Sequence, residues 1–248
     1  MSNPLMSITR FLNIRGFQEL GEHSQYVPLQ INDLATLIRN ENTNLKVMEI
    51  GFNAGHSAET FLENNENLTL TSFDLGIMAY VEIAKEYIDT NFPNRHTLII
   101  GNSIETVPAY FENNKDTKFD IIFIDGSHEY DTVKADIENC RHLAHKDTIV
   151  ILDDTYFEDT LDYIPQDGPS RVWLEQLQDN KIFEMKRRIY NEGRGMSWGK
   201  YIDPEQHIQT PPPAEPPAEP PAEPPAEPST EPPTEPPTEP PTEPPTEP

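Results

Sequence analysis

The chain contains FDIIFIDGSHEY at residues 119–130 and DTIVILDD at residues 147–154. Each stretch is an apolar run with the length of one buried strand, and each run stops at acidic residues. One helix-length segment separates them, which is typical of neighbouring parallel strands joined by a crossover. Because ligands of an open parallel sheet bind where its strands end, we expect Asp125, Asp153 and Asp154 to lie together at the ligand-binding edge.

Similar patterns extend in both directions from this stretch. Further continuous apolar runs, typical of strands buried on both faces, occupy residues 47–51, 68–75 and 96–101. After residue 154 the pattern changes to one helix candidate at 170–180 and two strand candidates at 182–190 and 195–202, with a turn-prone segment at 191–194. We therefore predict an α/β fold: a doubly wound, mostly parallel, seven-stranded Rossmann-like sheet with a C-terminal antiparallel hairpin.

Composition divides the chain into three parts. Residues 210–248 are built from PAEP and TEPP repeats and contain no aromatic and no basic residue. Such a segment buries too little apolar surface to fold, so we predict a disordered tail with polyproline II character. We expect the tail to act as a spacer, with an interaction segment as the alternative. Residues 46–209 would form one globular domain, and residues 1–45, which are mostly helical in pattern, would cap it.

The charge and the cysteine count exclude several classes of protein. The formal net charge is −25, of which nine negative charges belong to glutamates of the tail. An acidic body disfavours contact with phosphate backbones, so we expect no nucleic-acid partner. The single cysteine, Cys140, cannot form an intrachain disulfide or a cysteine-based zinc cluster. With a polar start and no membrane-length apolar run, the sequence predicts a cytoplasmic protein without a membrane partner. A homo-oligomer is compatible with these observations.

The first strand leads into a turn that is suited to a cofactor. This turn, residues 49–57, has the sequence EIGFNAGHS. Gly51 and Gly55 permit a sharp turn and a close approach of the backbone to a ligand, and Asn53 tolerates positive φ. Asp74, at the end of the second strand, can accept hydrogen bonds from both hydroxyls of a ribose, which leaves NAD or another adenosine-containing cofactor open. The alternative for Asp74 is a cap of the following helix.

Taken together, these segments resemble the class I S-adenosylmethionine (SAM)-dependent methyltransferases. The likeness is greatest to the metal-dependent O-methyltransferases that act on small molecules, of the catechol and macrolide-sugar types. It covers roughly residues 45–202 and rests on EIGFNAGHS, FDLG, GNS, FIDGSHEYD, VILDD and GMSWGKYI, which occur in the family's order. The resemblance implies that residues 46–209 are a methyltransferase domain that binds SAM and Mg²⁺ or a similar divalent cation.

The resemblance also implies roles for individual residues. The cofactor-binding positions would be Glu49, Gly51, Asn53, Gly55, Ser57, Asp74, Asn102 and Ser103. Asp125, Asp153 and Asp154 fall where the family places its magnesium ligands. His128 falls where catechol enzymes have a catalytic lysine and sugar-modifying enzymes have a histidine, so Asp125 and His128 are the expected catalytic residues. Asp154 departs from the catechol type, which has asparagine there.

The resemblance therefore implies a SAM-dependent, Mg²⁺-dependent O-methyltransferase acting on a hydroxyl of a small molecule or glycan. Three close carboxylates repel one another by about 4 kcal/mol per pair at 4 Å and an effective dielectric constant of 20, which favours a bound cation over separate solvated side chains. His128 can act as the base, or it is a surface residue at a helix start. The alternatives are an NAD-dependent oxidoreductase, which has no use for three carboxylates, and a non-catalytic interaction protein.

Overall fold

The computed structural model describes residues 6–17, 27–39, 44–157, 168–191 and 194–202. The chain divides into a unit of Met1–Gln209 and a unit of Thr210–Pro248, and every described residue belongs to the first. The predicted disordered tail, residues 210–248, therefore lies outside the described residues. So do parts of the predicted N-terminal cap and the two central residues of the hairpin turn.

In the described residues, seven strands form one sheet, which confirms the predicted fold class. In chain order they are β1 (Lys46–Ile50), β2 (Thr69–Asp74), β3 (His96–Ile100), β4 (Phe119–Ile124), β5 (Ala144–Asp153), β6 (Ile182–Asn191) and β7 (Arg194–Tyr201). Their spatial order is β3-β2-β1-β4-β5-β7-β6. Strands β1 to β5 pair in parallel, whereas β7 runs antiparallel to both β5 and β6.

Seven helices accompany the sheet in the described part of the chain. They are α1 (Ile8–Ile14), α2 (Pro28–Ile38), α3 (His56–Asn64), α4 (Val81–Asn91), α5 (Ser103–Asn113), α6 (Tyr130–Arg141) and α7 (Gly168–Gln178). None of them is both long and apolar enough to cross a membrane.

The sheet separates two apolar cores. Successive residues of β1 point to opposite faces, so Val47 packs with α1 to α4 and Met48 packs with α5 to α7. Cys140 is fully buried in the second core. Burial on both faces explains why the strands appear in the sequence as continuous apolar runs.

Strand β5 begins earlier than its apolar run predicts. Ala144 already pairs with Phe119, and the register then shifts so that Ile121 pairs with Ile149. Thr148 stabilises this irregularity because its hydroxyl donates to the Phe119 carbonyl at 2.6 Å and accepts from the His145 amide at 2.8 Å. The polar residues before Thr148 thus belong to the strand although they carry no apolar signal.

The order of the strands determines where a ligand can bind. From β1 the chain continues outward to β2 and β3, then crosses to β4 on the other side of β1 and continues to β5. Connections diverge at such a reversal, which leaves a crevice at the carboxyl ends of the strands.

Candidate functional site

A cavity of about 390 Å³ lies at this reversal, and loops that follow β1, β2, β3 and β4 form its wall. Its volume is within the range of small-molecule and cofactor sites. Five of the predicted cofactor-binding residues line it: Gly51, Asn53, Asp74, Asn102 and Ser103. Asp125 also lines the cavity, as do the apolar side chains of Leu75, Ile77 and Met78.

Gly51 allows the loop after β1 to cross closely over the end of β4. Its φ is +100°, and a Cβ atom at this position would lie 1.9 Å from the carbonyl oxygen of Asp125. The Gly51 amide donates to the Phe73 carbonyl at 2.8 Å, and the Asp125 amide donates to the Ile50 carbonyl at 2.8 Å. The loop after β1, which forms part of the cavity wall, therefore packs directly against the backbone of Asp125.

Asp74 is held by two backbone amides. Its Oδ2 accepts from the Asn53 amide at 2.8 Å, and its Oδ1 accepts from the Gly76 amide at 2.7 Å. Asn53 has φ of +46°, and its side-chain oxygen accepts from the Tyr80 hydroxyl at 2.7 Å. The residue that precedes α4 is Tyr80, so Asp74 is not the cap of that helix.

The loop after β3 supplies Asn102 and Ser103. Asn102 caps α5, because its side-chain oxygen accepts from the Ile104 amide at 3.1 Å. Ser103 is the first residue of α5 and follows directly. The capped helix start fixes both residues at the cavity wall.

The other three predicted cofactor-binding residues, Glu49, Gly55 and Ser57, are not among the described residues that line the cavity. Glu49 is fully buried, and its two carboxylate oxygens accept from Ser57 at 2.7 Å and from Ser72 at 2.5 Å. Burial raises the pKa of Glu49 to about 7. Gly55 has φ of +79° and precedes α3. These residues shape the loop after β1 from within the fold.

Asp125, Asp153 and Asp154, here called the acidic cluster, come together as predicted from the sequence. One carboxylate oxygen from each lies within 4.8 Å of the others. Asp153 is buried, whereas Asp125 and Asp154 are half-buried. Burial, and then repulsion from neighbouring carboxylates, raises the pKa of both Asp125 and Asp153. Hard oxygen ligands at this spacing, whose repulsion a cation would relieve, fit a divalent ion such as Mg²⁺.

Two side chains that the sequence did not single out contact the acidic cluster. Gln30, in α2, donates its amide nitrogen to both oxygens of Asp153, at 2.7 and 2.6 Å. Arg194, at the start of β7, has its Nε 3.8 Å from Oδ1 of Asp154. Gln30 lies on the same face of α2 as the apolar Leu34 and Ile38. A polar residue on such a buried face is the sequence signal that could have singled out Gln30.

His128 lies beside the acidic cluster. Its Nε2 is 2.9 Å from Oδ2 of Asp154, and its side chain is 68% exposed. The segment between Asp125 and His128 is a loop and not a helical turn, since α6 begins only at Tyr130. The histidine is therefore accessible to solvent while one ring nitrogen contacts the cluster.

Comparisons with known proteins agree with this architecture. Residues 48–155 match a family model described as a methyltransferase domain. An O-methyltransferase from Bacillus cereus, solved in complex with SAH, has a TM-score of 0.62 and 18% identity, and the match covers 79% of this chain and 89% of that chain. A TDP-rhamnose 3′-O-methyltransferase of calicheamicin biosynthesis has a TM-score of 0.55 and 21% identity, covering 82% and 89%.

A third similar structure is an O-methyltransferase from Streptomyces achromogenes that is involved in tomaymycin synthesis, in complex with SAM. It has a TM-score of 0.58 and 14% identity, and the match covers 79% of this chain and 88% of that chain. No curated protein sequence matches the chain. These comparisons show that residues 48–155 are similar to a methyltransferase domain and that the chain shares the fold of these SAH- and SAM-bound structures.

Proposed function

We propose that this protein transfers the methyl group of SAM to a hydroxyl of a small molecule or glycan, assisted by a divalent cation such as Mg²⁺. The observation that carries this proposal is the position of Asp125, which both lines the cavity and belongs to the acidic cluster. A cofactor in the cavity and a cation at the acidic cluster would therefore both lie next to Asp125. Methyl transfer needs this proximity because it is an in-line displacement between donor and acceptor.

In the cavity, Asp74 would bind the ribose of the cofactor. Each of its oxygens accepts one backbone amide, and an ionised carboxylate offers about four acceptor positions, so acceptor capacity remains for two hydroxyls. Asn102 and Ser103 would lie near the adenine, beside the apolar Ile77 and Met78. Glu49, Gly55 and Ser57 would act by fixing the loop that carries Gly51 and Asn53.

At the cluster, Asp125, Asp153 and Asp154 would hold the cation. When bound, a divalent cation supplies Lewis-acid chemistry that lowers the pKa of an acceptor hydroxyl. His128 would then take the hydroxyl proton on a ring nitrogen, and its contact with Asp154 would orient the ring. Arg194 offsets part of the negative charge from the side of Asp154.

An NAD-dependent oxidoreductase would share the cavity and Asp74 but would leave the acidic cluster without a role. A non-catalytic interaction protein would have no reason to keep the buried Asp153 within 4.8 Å of two other carboxylates, since that arrangement is repulsive. Thermal unfolding with SAH, with NAD and without ligand separates the three cases. We expect stabilisation by SAH and none by NAD.

The test of the activity is methyl transfer from labelled SAM to a panel of glycans and small phenols. We expect transfer that is lost in chelator and restored by Mg²⁺, and Asp153→Ala should abolish it while the affinity for SAH is retained. His128→Ala should lower the rate by about 10²–10⁴, the usual contribution of a general base. Undiminished transfer in chelator would refute the role of the cation, and stabilisation by NAD instead of SAH would refute the proposal as a whole.

A further inference from the structure

We propose that Gln30 is a positioning residue of the cation site, and that α2 is therefore a functional part of the methyltransferase. Gln30 would orient the carboxylate of Asp153 so that one direction remains for the cation. This role presupposes the cation site proposed above and adds a residue that lies 123 positions from Asp153 in the sequence.

The contact between Gln30 and Asp153 has the geometry needed to fix the orientation of the Asp153 carboxylate. Gln30 is fully buried, and its amide nitrogen lies 2.7 and 2.6 Å from the two oxygens of Asp153. The Asp154 amide donates to Oδ1 of Asp153 at 2.9 Å. These three hydrogen bonds occupy three of the roughly four acceptor positions of a carboxylate. The plane of the Asp153 carboxylate is thereby fixed, and one acceptor position is left for a ligand.

The chemistry of an amide suits this task. A lysine or arginine at the same place would bring a positive charge that competes with a cation, whereas the Gln30 amide donates hydrogen bonds without neutralising Asp153. The charged partner in this region, Arg194, is directed at Asp154, with its Nε 3.8 Å from Oδ1. Gln30 therefore supports the carboxylate and leaves its negative charge available.

The other end of the Gln30 amide points to the same conclusion. Within the described residues, the buried Oε1 of Gln30 has no hydrogen-bond partner. The hydrogen bonding of this side chain is therefore directed at Asp153 alone. The reverse amide orientation would set an oxygen against the carboxylate, so Asp153 itself determines which atom faces it.

A second contact holds α2 in place. Asp33, less than one turn after Gln30, accepts from Nη1 of Arg188 at 2.8 and 2.9 Å and from the hydroxyl of Tyr190 at 2.9 Å. Both partners belong to β6, while Leu34 and Ile38 anchor the helix in the apolar core. The position of Gln30 is therefore set by elements other than β5. Such support lets an outer residue hold a metal ligand in a fixed orientation.

The test is the binding of Mn²⁺ to the full chain, measured by electron paramagnetic resonance in the absence of acceptor. Gln30→Met keeps the size of the side chain and removes the donor. We expect it to weaken Mn²⁺ binding by about 10- to 100-fold, the usual effect of removing a partner of a metal ligand. The affinity for SAH, measured by calorimetry, should be unchanged because Gln30 does not line the cavity.

Gln176→Met is the matched control. Gln176 is also buried in a helix, α7, and its Oε1 also lacks a partner among the described residues, but it does not contact the acidic cluster. Gln176→Met should bind Mn²⁺ with the affinity of the wild type. This result would show that the loss in Gln30→Met comes from the orientation of the Asp153 carboxylate and not from the removal of a buried amide. If Gln30→Met does not fold, Gln30→Asn, whose amide is one methylene too short, should show the same loss.

The outcomes distinguish this inference from the proposed function. Wild-type affinity for Mn²⁺ in the folded Gln30 variants would overturn the role of Gln30 and leave the cation site in place. An equal loss in Gln176→Met would also overturn it, because the effect would then be structural. Absence of Mn²⁺ binding in the wild type would overturn the cation site and the role of Gln30 together, while stabilisation by SAH would still support the cofactor cavity.

Discussion

At the scale of single residues, Asp74 provides the most direct test of the cofactor cavity. Asp74→Ala should weaken the binding of SAH by about 1.5–3 kcal/mol, as expected for lost hydrogen bonds to a charged group. Asp116→Ala removes an exposed aspartate that does not line the cavity and should leave the affinity unchanged. Calorimetry measures the affinity for SAH of both variants and of the wild type. Equal affinities of Asp74→Ala and the wild type would show that Asp74 does not bind the cofactor.

Glu49 predicts a pH dependence of stability. Its pKa is raised by burial from 4.5 to about 7, so between these values the folded state holds a proton that the unfolded state has lost. The stabilisation from this group is present below pH 4.5 and is lost as the pH rises to 7. Glu49→Gln cannot ionise, so without cofactor its free energy of unfolding relative to that of the wild type should rise between pH 5 and pH 8 by on the order of 2–3 kcal/mol.

The measurement is denaturant unfolding of both proteins at pH 5 and pH 8. Asp125 and Asp153 also have raised pKa values and are present in both proteins. Repulsion from Glu49 is the smallest of the causes that raise the pKa of Asp125, so most of their contribution cancels in the difference. A difference between wild type and Glu49→Gln that does not change with pH would show that Glu49 is charged in the folded protein throughout.

At the scale of elements, the crossing of the β1 loop over β4 depends on Gly51. Gly51→Ala should lower the free energy of unfolding by at least about 1–3 kcal/mol from backbone strain. It should also displace the backbone of Asp125, because the new Cβ would lie 1.9 Å from the Asp125 carbonyl oxygen. We therefore expect weaker binding of SAH as well, measured by calorimetry alongside denaturant unfolding.

Gly16→Ala is the control for strain without a clash. Gly16 has φ of +81°, and a Cβ atom there would meet nothing within 4 Å. Its loss of stability should be the smaller of the two, and its affinity for SAH should be that of the wild type. Equal losses in the two variants would mean that the close crossing at Gly51 is not what requires glycine.

The elements themselves were predictable because their signals are local. The five parallel strands, the helix after residue 168 and the terminal hairpin all follow from apolar periodicity and turn chemistry. Asp125, Asp153 and Asp154 could be placed together because strand ends of a parallel sheet share one edge. The start of β5 was missed because a register shift, and not an apolar run, determines it.

The contacts from outside these strands were not predictable. Gln30 reaches Asp153 only because α2 packs across the end of the sheet, and no local pattern encodes a contact over 123 positions. Arg194 appeared in the sequence as part of a turn, but β7 pairs with β5 and brings it near Asp154. The carboxylates of the acidic cluster could thus be predicted from the sequence, whereas the side chains that contact them are determined by tertiary packing.

At the scale of the whole molecule, the acidic charge has two separate sources. Nine of the negative charges belong to the repeats of residues 210–248, and the rest of the excess belongs to the part that contains the seven-stranded sheet. Within that part the acidic cluster is a local concentration of charge at a strand edge, partly offset by Arg194. All residues of this arrangement belong to the unit Met1–Gln209.

The repeats of residues 210–248 are therefore predicted to be dispensable for folding and for cofactor binding. Apart from proline, their composition provides no apolar side chain larger than that of alanine. A chain of this length in polyproline II conformation could extend about 120 Å at 3.1 Å per residue. A chain that ends at Gln209 should keep the melting temperature and the SAH affinity of the full chain. A lower melting temperature would mean that the repeats pack on the fold. An unchanged melting temperature supports a spacer, because a spacer makes no contact that stabilises the fold.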